Sequence, residues 1–267
     1  MKNFKKLALL LVFALLFACS SNDKETKEVM MATTTSMNDS GLLDELAPAF
    51  KEETGIELQW LSVGSGEAIQ KARDGEVQLL FAHSPADEET LVKDGISLGR
   101  DSIMYNNFLF VGPEKLTGTT LADATKEICD DKLYISRADD SGTHKKEMAT
   151  FEEYCSATDG KAKNTVESGV GMLDTLNIAA EKKGYTLTDI ATWLENKDKL
   201  DLVEAYYNKA DLVNTYSIHV IKNDSFTEEQ MASAEEFKKW VTEGKGLEII
   251  KDYGADKYGA PVFTLVE

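Results

Sequence analysis

The chain has 267 residues, 42% of them hydrophobic and 28% charged, with 47 acidic against 29 basic side chains and a formal charge of −18. A field of that sign repels phosphate backbones, which excludes DNA and RNA as partners. Three cysteines without a CxxC pair, and no HExxH, exclude the common cysteine and histidine metal motifs, so no metal or cofactor is expected.

In chain order, the first segment predicts processing rather than folding. "MKNFKK" is a positive n-region and "LALLLVFALLFA" an apolar h-region too short to span a bilayer comfortably. It ends in "LFAC", with small Ala18 before Cys19. The expectation is cleavage there and lipid attachment to the Cys19 thiol; the alternative is an ordinary signal peptide with a chance cysteine. Residues 1–18 are read as a lipoprotein signal peptide and 19–28 as a flexible polar tether. Losing Lys2, Lys5 and Lys6 with the signal leaves 26 basic against 47 acidic residues, a charge of −21.

Short apolar strands then alternate with amphipathic helices. "EVMMAT" reads as a strand, and Asp39 and Ser40 offer an N-cap for "GLLDELAPAFKEET", whose Leu42, Leu43, Leu46, Ala49 and Phe50 share a face. Gly55 ends that helix. "IELQWLSV" is the next strand and "GSGEAIQKARDG" a glycine turn feeding a short helix. "VQLLFA" is continuously apolar, as in a sheet covered on both faces. Ser84 and Pro85 are the cap and first residue of the helix that follows. "DSIMYNNFLFVGP" is a longer strand that stops at Gly112-Pro113.

The pattern restarts with helix "LADATKEICDD", strand "KLYIS" and helix "KKEMATFEEYC". Two more helices follow, "ESGVGMLDTLNIAAEKKG" with Ser168 as its cap, and "TLTDIATWLENK". Strands "LDLVEAY" and "VNTYSIHVIKN" precede a long last helix over 227–254. This alternation predicts parallel α/β sheets. Breaks near Gly112-Pro113 and Asp211–Thr215 predict a central segment inserted into an outer one. Cys129 and Cys155, near helix ends, are read either as a disulfide or as two buried free thiols.

Five strand-to-helix junctions share one chemistry: "TTTSMNDSG" (33–41), "VGSGEA" (63–68), "AHSP" (82–85), "SRADDSGTH" (136–144) and "ESGVGM" (167–172). Helix N-termini carry free N–H groups and the positive end of the dipole. Small residues let an oxyanion approach, and hydroxyls add donors without charge. The plainer reading is that these residues are ordinary caps and turns. Arg137 favours the anion, because its guanidinium is permanently charged and matches oxyanions bidentately. Asp139 and Asp140 read as a metal pair, as helix caps or as supports for Arg137. His144 and His83 read as a catalytic pair or as structural hydrogen-bonders. A fully deprotonated oxyanion wants donors only, whereas hydrogen phosphate wants one acceptor carboxylate, which Asp39, Asp139 or Asp140 would supply.

"TTTSMNDSGLLDELAPAFKEETG", "VGSGEA", "AHSP", "MYNNFLFVGP", "SRADDSGTHKKE" and "YTLTDIATW" together resemble the tungstate-binding lipoproteins of ABC importers, the TupA type. The likeness runs in order from about residue 29 to 265. It implies a type II periplasmic-binding-protein fold: two α/β lobes with a hinge, 29–111 plus 213–267 and 112–212, closing over a central cleft. It implies an oxyanion, tungstate or molybdate, held among Thr34, Thr35, Ser65, Arg137, Ser141 and Thr143, with Gly66 and Gly171 giving backbone N–H groups or close approach. The resemblance also implies a monomer, anchored outside the cell membrane, which performs no chemistry and hands its ligand to a permease and ATPase. The family pattern usually has a Gly where this chain has Ala138, a Thr where it has Ser65 and an Asp where it has Gln78. Rival readings are a receptor for phosphate or another oxyanion, a sensor, and a hydrolase using His144, Asp139 and Asp140.

Overall fold

The computed structural model describes residues 27–155 and 162–266. The signal peptide, most of the tether and Cys19 lie outside them. The described chain begins with β1 (Lys27–Thr34), α1 (Thr35–Asp39), α2 (Leu42–Thr54), β2 (Ile56–Val63), α3 (Ser65–Arg73), β3 (Leu79–Ala82), α4 (Pro85–Lys93) and the long β4 (Asp101–Gly112). Its middle supplies α5 (Leu121–Asp131), β5 (Leu133–Ser136), α6 (Gly142–Tyr154), β6 (Asn164–Glu167), α7 (Met172–Lys182), β7 (Thr186–Asp189), α8 (Ile190–Asn196) and β8 (Val203–Tyr206). It returns through β9 (Val213–Val220), α9 (Glu228–Glu243), α10 (Lys245–Asp252), α11 (Ala255–Tyr258) and β10 (Thr264–Leu265).

The main sheet runs in the order β10-β4-β9-β3-β1-β2, with β7 and β8 also on β4, and β5 and β6 pair separately. Only β1–β2, β1–β3 and β5–β6 are parallel; β9 lies antiparallel between β3 and β4. The expectation of parallel sheets is therefore corrected. Alternating helices set the direction of neighbouring strands only while the chain winds forward. β9 enters from far along the sequence and runs the other way. β4 serves two groups of strands: Asp101–Asn107 pair with β9, and Phe108–Gly112 with β7 and β8.

Burial follows the hydrophobic pattern. Every residue of β3 is fully buried, as a sheet covered on both faces requires. Leu42, Leu43, Leu46 and Phe50 of α2 are buried, and the Phe50 ring meets Phe237 of α9 edge-on at 5.0 Å. Each such side chain contributes about 1.5–3 kcal/mol on burial. A second cluster gathers Phe110, Tyr134 and Phe151 beneath β5 and α6. Cys129 and Cys155 are joined in a disulfide, with Cα atoms 6.2 Å apart, tying α5 to the residue after α6.

Four local expectations change. The five-residue α1 precedes α2; Thr34 caps it, and α2 starts after Gly41 at φ 79°. The single long last helix breaks at Gly244 into α9 and α10, whereas Ser84 does stand as the N-cap of α4, its hydroxyl donating to Asp87 and its N–H to Glu88. Ser168 caps nothing, because β6 ends at Glu167 and α7 starts only at Met172. "TLTD" is strand β7, drawn onto β4 with Leu187 opposite Phe110, and Asp189 caps the shorter α8.

Candidate functional site

The site begins where β5 delivers Arg137. Beyond it the chain turns sharply, with Ala138 at φ 46° and Asp140 at φ 57°. Both are left-handed values that favour glycine, and each costs on the order of 1 kcal/mol or more. That turn folds the loop back over Arg137. The guanidinium is 1% exposed. Its Nε donates to the Val170 carbonyl at 2.9 Å, one terminal nitrogen reaches Met172 Sδ at 3.5 Å, and the other donates to Thr35 Oγ1 at 3.3 Å and to the Asp139 carboxylate. A charge so deeply buried persists only with partners of this kind.

Asp139 has a second task. Its other oxygen accepts the Ser141 backbone N–H at 3.2 Å. It is therefore both a support for Arg137 and a brace for the start of α6. Ser141 caps that helix, its hydroxyl accepting from the His144 N–H at 3.2 Å. The Gly142 N–H donates to Ser65 Oγ at 2.8 Å. Thr143 is fully buried, and its hydroxyl has no hydrogen-bond partner among the described residues. Asp140 lies beside Gly66 and faces Lys145 at 3.6 Å. Among the described residues no group of three or more acidic, histidine or cysteine side chains is arranged to hold a metal.

Seven of the eight predicted residues fall into two adjoining groups. Arg137, Thr35 and Gly171 form one: a Cβ built on Gly171 would lie 3.6 Å from that of Thr35. Ser65, Gly66, Ser141 and Thr143 form the other, and Asp139 bridges the two. Thr34 is held differently. Its hydroxyl accepts the Met37 N–H and lies 3.2 Å from Ser36 Oγ, so it serves α1.

The arrangement favours an acceptor-rich ligand. The oxygens of Thr35, Ser65 and Ser141 already accept from a guanidinium or a backbone N–H. Each therefore keeps its own proton to give. The N-terminus of α3, which has no side-chain cap, the N-terminus of α7 and the first turn of α6 add dipoles of the same sign. Asp39 occupies part of the α7 terminus, accepting the Leu173 N–H; burial raises its pKa, opposed by that bond and by Arg137.

Four participants escaped the sequence reading. Glu147, buried behind Arg137, accepts from Tyr134 Oη at 3.0 Å, from Ser136 Oγ and from the Arg137 N–H at 3.4 Å. Burial pushes it up to about 7. Ser36, Asn214 and Tyr216 surround His83. Asn214 gives its amide to Asn106 and Tyr216, so its oxygen takes a proton from His83 Nδ1 at 2.7 Å. His83 Nε2 then accepts from Ser36 at 3.1 Å. Burial lowers the His83 pKa to about 4 and keeps the ring neutral. His144 is no partner to it: His144 Nδ1 accepts the Asp140 N–H at 3.1 Å, turned onto its own loop.

Comparison with known proteins gives one answer. The family model of a PBP superfamily domain matches residues 21–245. A "Tungstate-binding protein TupA" of Peptoclostridium acidaminophilum is 39% identical over 244 residues, covering 88% of this chain and 85% of that protein. One of the same name from Campylobacter jejuni is 36% identical over 232 residues, 82% and 84% of the two chains. A solved structure of the tungstate ABC transporter from Geobacter sulfurreducens superimposes with TM-score 0.74 at 34% identity, covering 85% of this chain and 98% of that one. TupA from Desulfovibrio alaskensis G20 superimposes equally, with TM-score 0.74 at 34% identity and 90% and 99% covered.

Proposed function

The chain belongs to the periplasmic-binding-protein superfamily and, within it, to the family of the TupA tungstate-binding proteins, and from that premise we propose that it captures tungstate outside the cell and delivers it to an ABC importer. The carrying observation is the buried Arg137 guanidinium donating to Thr35, followed in the chain by the first turn of α6, whose fully buried Thr143 hydroxyl has no partner among the described residues. A permanent cation and several unused hydroxyl protons converge there, and Asp139, the nearest carboxylate, has both oxygens engaged. A doubly charged ion with four acceptor oxygens fits such a set.

In this reading the protein is a carrier rather than an enzyme. Thr35, Ser65, Arg137, Ser141 and Thr143 donate to the oxyanion, with backbone N–H groups at Gly66 and Gly171. Residues 29–111 plus 213–267 form one lobe and 112–212 the other, and the two close over the ligand. A lipid on Cys19 anchors the chain near its permease and ATPase partners. Molybdate, with the same charge and shape, is the second ligand of this site.

Isothermal titration with tungstate, molybdate, sulfate and phosphate tests the proposal. Strong heat with tungstate and molybdate and little with the other two is the expected outcome. Heat with phosphate alone overturns it.

A further inference from the structure

The cleft carries a pattern that ligand contacts do not require. Four glycines stand where the two proposed lobes touch, each against a residue of the other lobe. A Cβ built on Gly64 would lie 3.4 Å from the Asp139 carbonyl, and one on Gly66 2.7 Å from the Asp140 carboxylate. One on Gly171 would lie 3.6 Å from Thr35. One on Gly142 would meet His83 three times, at 3.0 Å from Cε1, 3.1 Å from Nδ1 and 3.1 Å from the carbonyl oxygen.

The Gly142 contact differs from the rest in what it meets. Asp140 is exposed and can swing aside, and the Gly171 and Gly64 spacings are ordinary. His83 cannot yield. It is 5% exposed, bonded through both ring nitrogens to Ser36 and Asn214, and stacked on Tyr216 with ring centroids 4.8 Å apart. Its third close atom is backbone. Gly142 has no positive φ, so the backbone itself accepts any residue there. As the first residue of α6 it gains nothing from lacking a side chain, since glycine is the weaker helix former.

We propose that Gly142 is the closure seat of this protein: its bare Cα lets the start of α6 come down onto the immobilised His83, while its N–H reaches Ser65. Gly142 and His83 are thus positioning residues that set how far the lobes close. They act on the ligand through Ser141 and Thr143, which flank the seat. The proposal rests on the functional reading above and on its division into lobes.

The test uses the full chain with Gly142→Ala and Gly142→Val, titrated with sodium tungstate, alongside small-angle scattering with and without the anion. Wild type is expected to compact on binding. The Ala variant is expected to bind about tenfold more weakly, the scale of a core overpacked by one methyl, and the Val variant more weakly still. Both should compact less. The ligand-free Ala variant should melt no lower than wild type, because with the lobes apart the seat is unmade and alanine favours the helix. An affinity within twofold of wild type for the Ala variant overturns the seat and leaves the functional reading intact. So does a weaker affinity accompanied by an equal loss of ligand-free stability. Wild type that binds tungstate without compacting overturns the seat together with the lobe division. Wild type that gives no heat with tungstate overturns the functional reading and the seat with it.

Discussion

Two hydroxyl-rich stretches meet through the Arg137–Thr35 bond, Thr33–Ser36 and Ser136–His144, and they use their side chains in opposite ways. In the first, nearly every hydroxyl is engaged inward: Thr33 donates to the Phe81 carbonyl at 2.8 Å, Thr34 caps α1 and Ser36 donates to His83. Only Thr35 turns to the other side, where Arg137 meets it. In the second, one hydroxyl, that of Ser136, is tied to Glu147, while Ser141 keeps its proton and Thr143 has no partner among the described residues. A count of hydroxyls therefore overstates the donors offered by the first stretch. What matters is which oxygen already accepts and which proton is already given.

The largest expected effect breaks the comparison at its permanent cation. Arg137→Ala should weaken tungstate binding by at least about 1.5–3 kcal/mol, roughly ten- to a hundredfold in a titration, the scale of a charged hydrogen bond. Unchanged affinity would move the site away from the second stretch.

Next, the supports of the two stretches titrate with opposite sign. Glu147 is raised from 4.5 to about 7, so the folded chain holds a proton the unfolded chain has lost, and stability falls as pH rises through that window. Asp189, raised from 3.8 to about 6 by burial, acts in the same direction. His83 is lowered from 6.5 to about 4, so the unfolded chain binds the extra proton, and stability falls as pH drops from 6.5 towards 4. Melting curves from pH 4 to 8 should show Glu147→Gln flattening the falling limb above pH 5, by on the order of 1–3 kcal/mol. His83→Asn should instead flatten the rising limb. Identical slopes in both variants would show that the two supports are not independent.

The smallest effect is the sharpest contrast. Thr143→Val removes a buried hydroxyl without a partner in the fold. Tungstate affinity should drop by about 0.5–1.5 kcal/mol, with the ligand-free melting temperature unchanged or higher. Thr33→Val removes one that bonds to Phe81, so stability should fall by about 1 kcal/mol while affinity holds. The reverse result would exchange the roles assigned to the two stretches.

Much of the frame was legible. The apolar run at β3, the leucine face of α2 and the restart after Gly112 all appear as predicted, because burial periodicity is local information. The Arg137 loop was legible as a strand-to-helix junction, because the short apolar run of β5 and the hydroxyl and glycine that open α6 bracket it. Ala138, where the family pattern usually has glycine, does adopt a positive φ. The missing parts depend on distance. His83 meets Asn214 from 131 positions away, and nothing near either residue announces the other. Glu147 reads as one more surface acid on an amphipathic helix until the fold brings Tyr134 and Ser136 beneath it. "TLTD" became a strand because β4 had a free edge, against its helical flank.

The position of β9 has a consequence for how the chain is made. One edge of β3 pairs with β1 and the other with β9, Leu79 facing Val220 and Ala82 facing Ser217. A ribosome delivers β1, β2 and β3 first, and all of the middle elements come before the strand that completes their sheet. Through that interval β3, wholly apolar, carries a bare edge of backbone N–H and C=O groups, the kind of surface that recruits other strands. Its brevity, four residues, is itself a protection. Release of the chain before β9 emerges would leave a sticky half-sheet, so a truncation ending before Val213 should accumulate as aggregate rather than as a smaller folded protein.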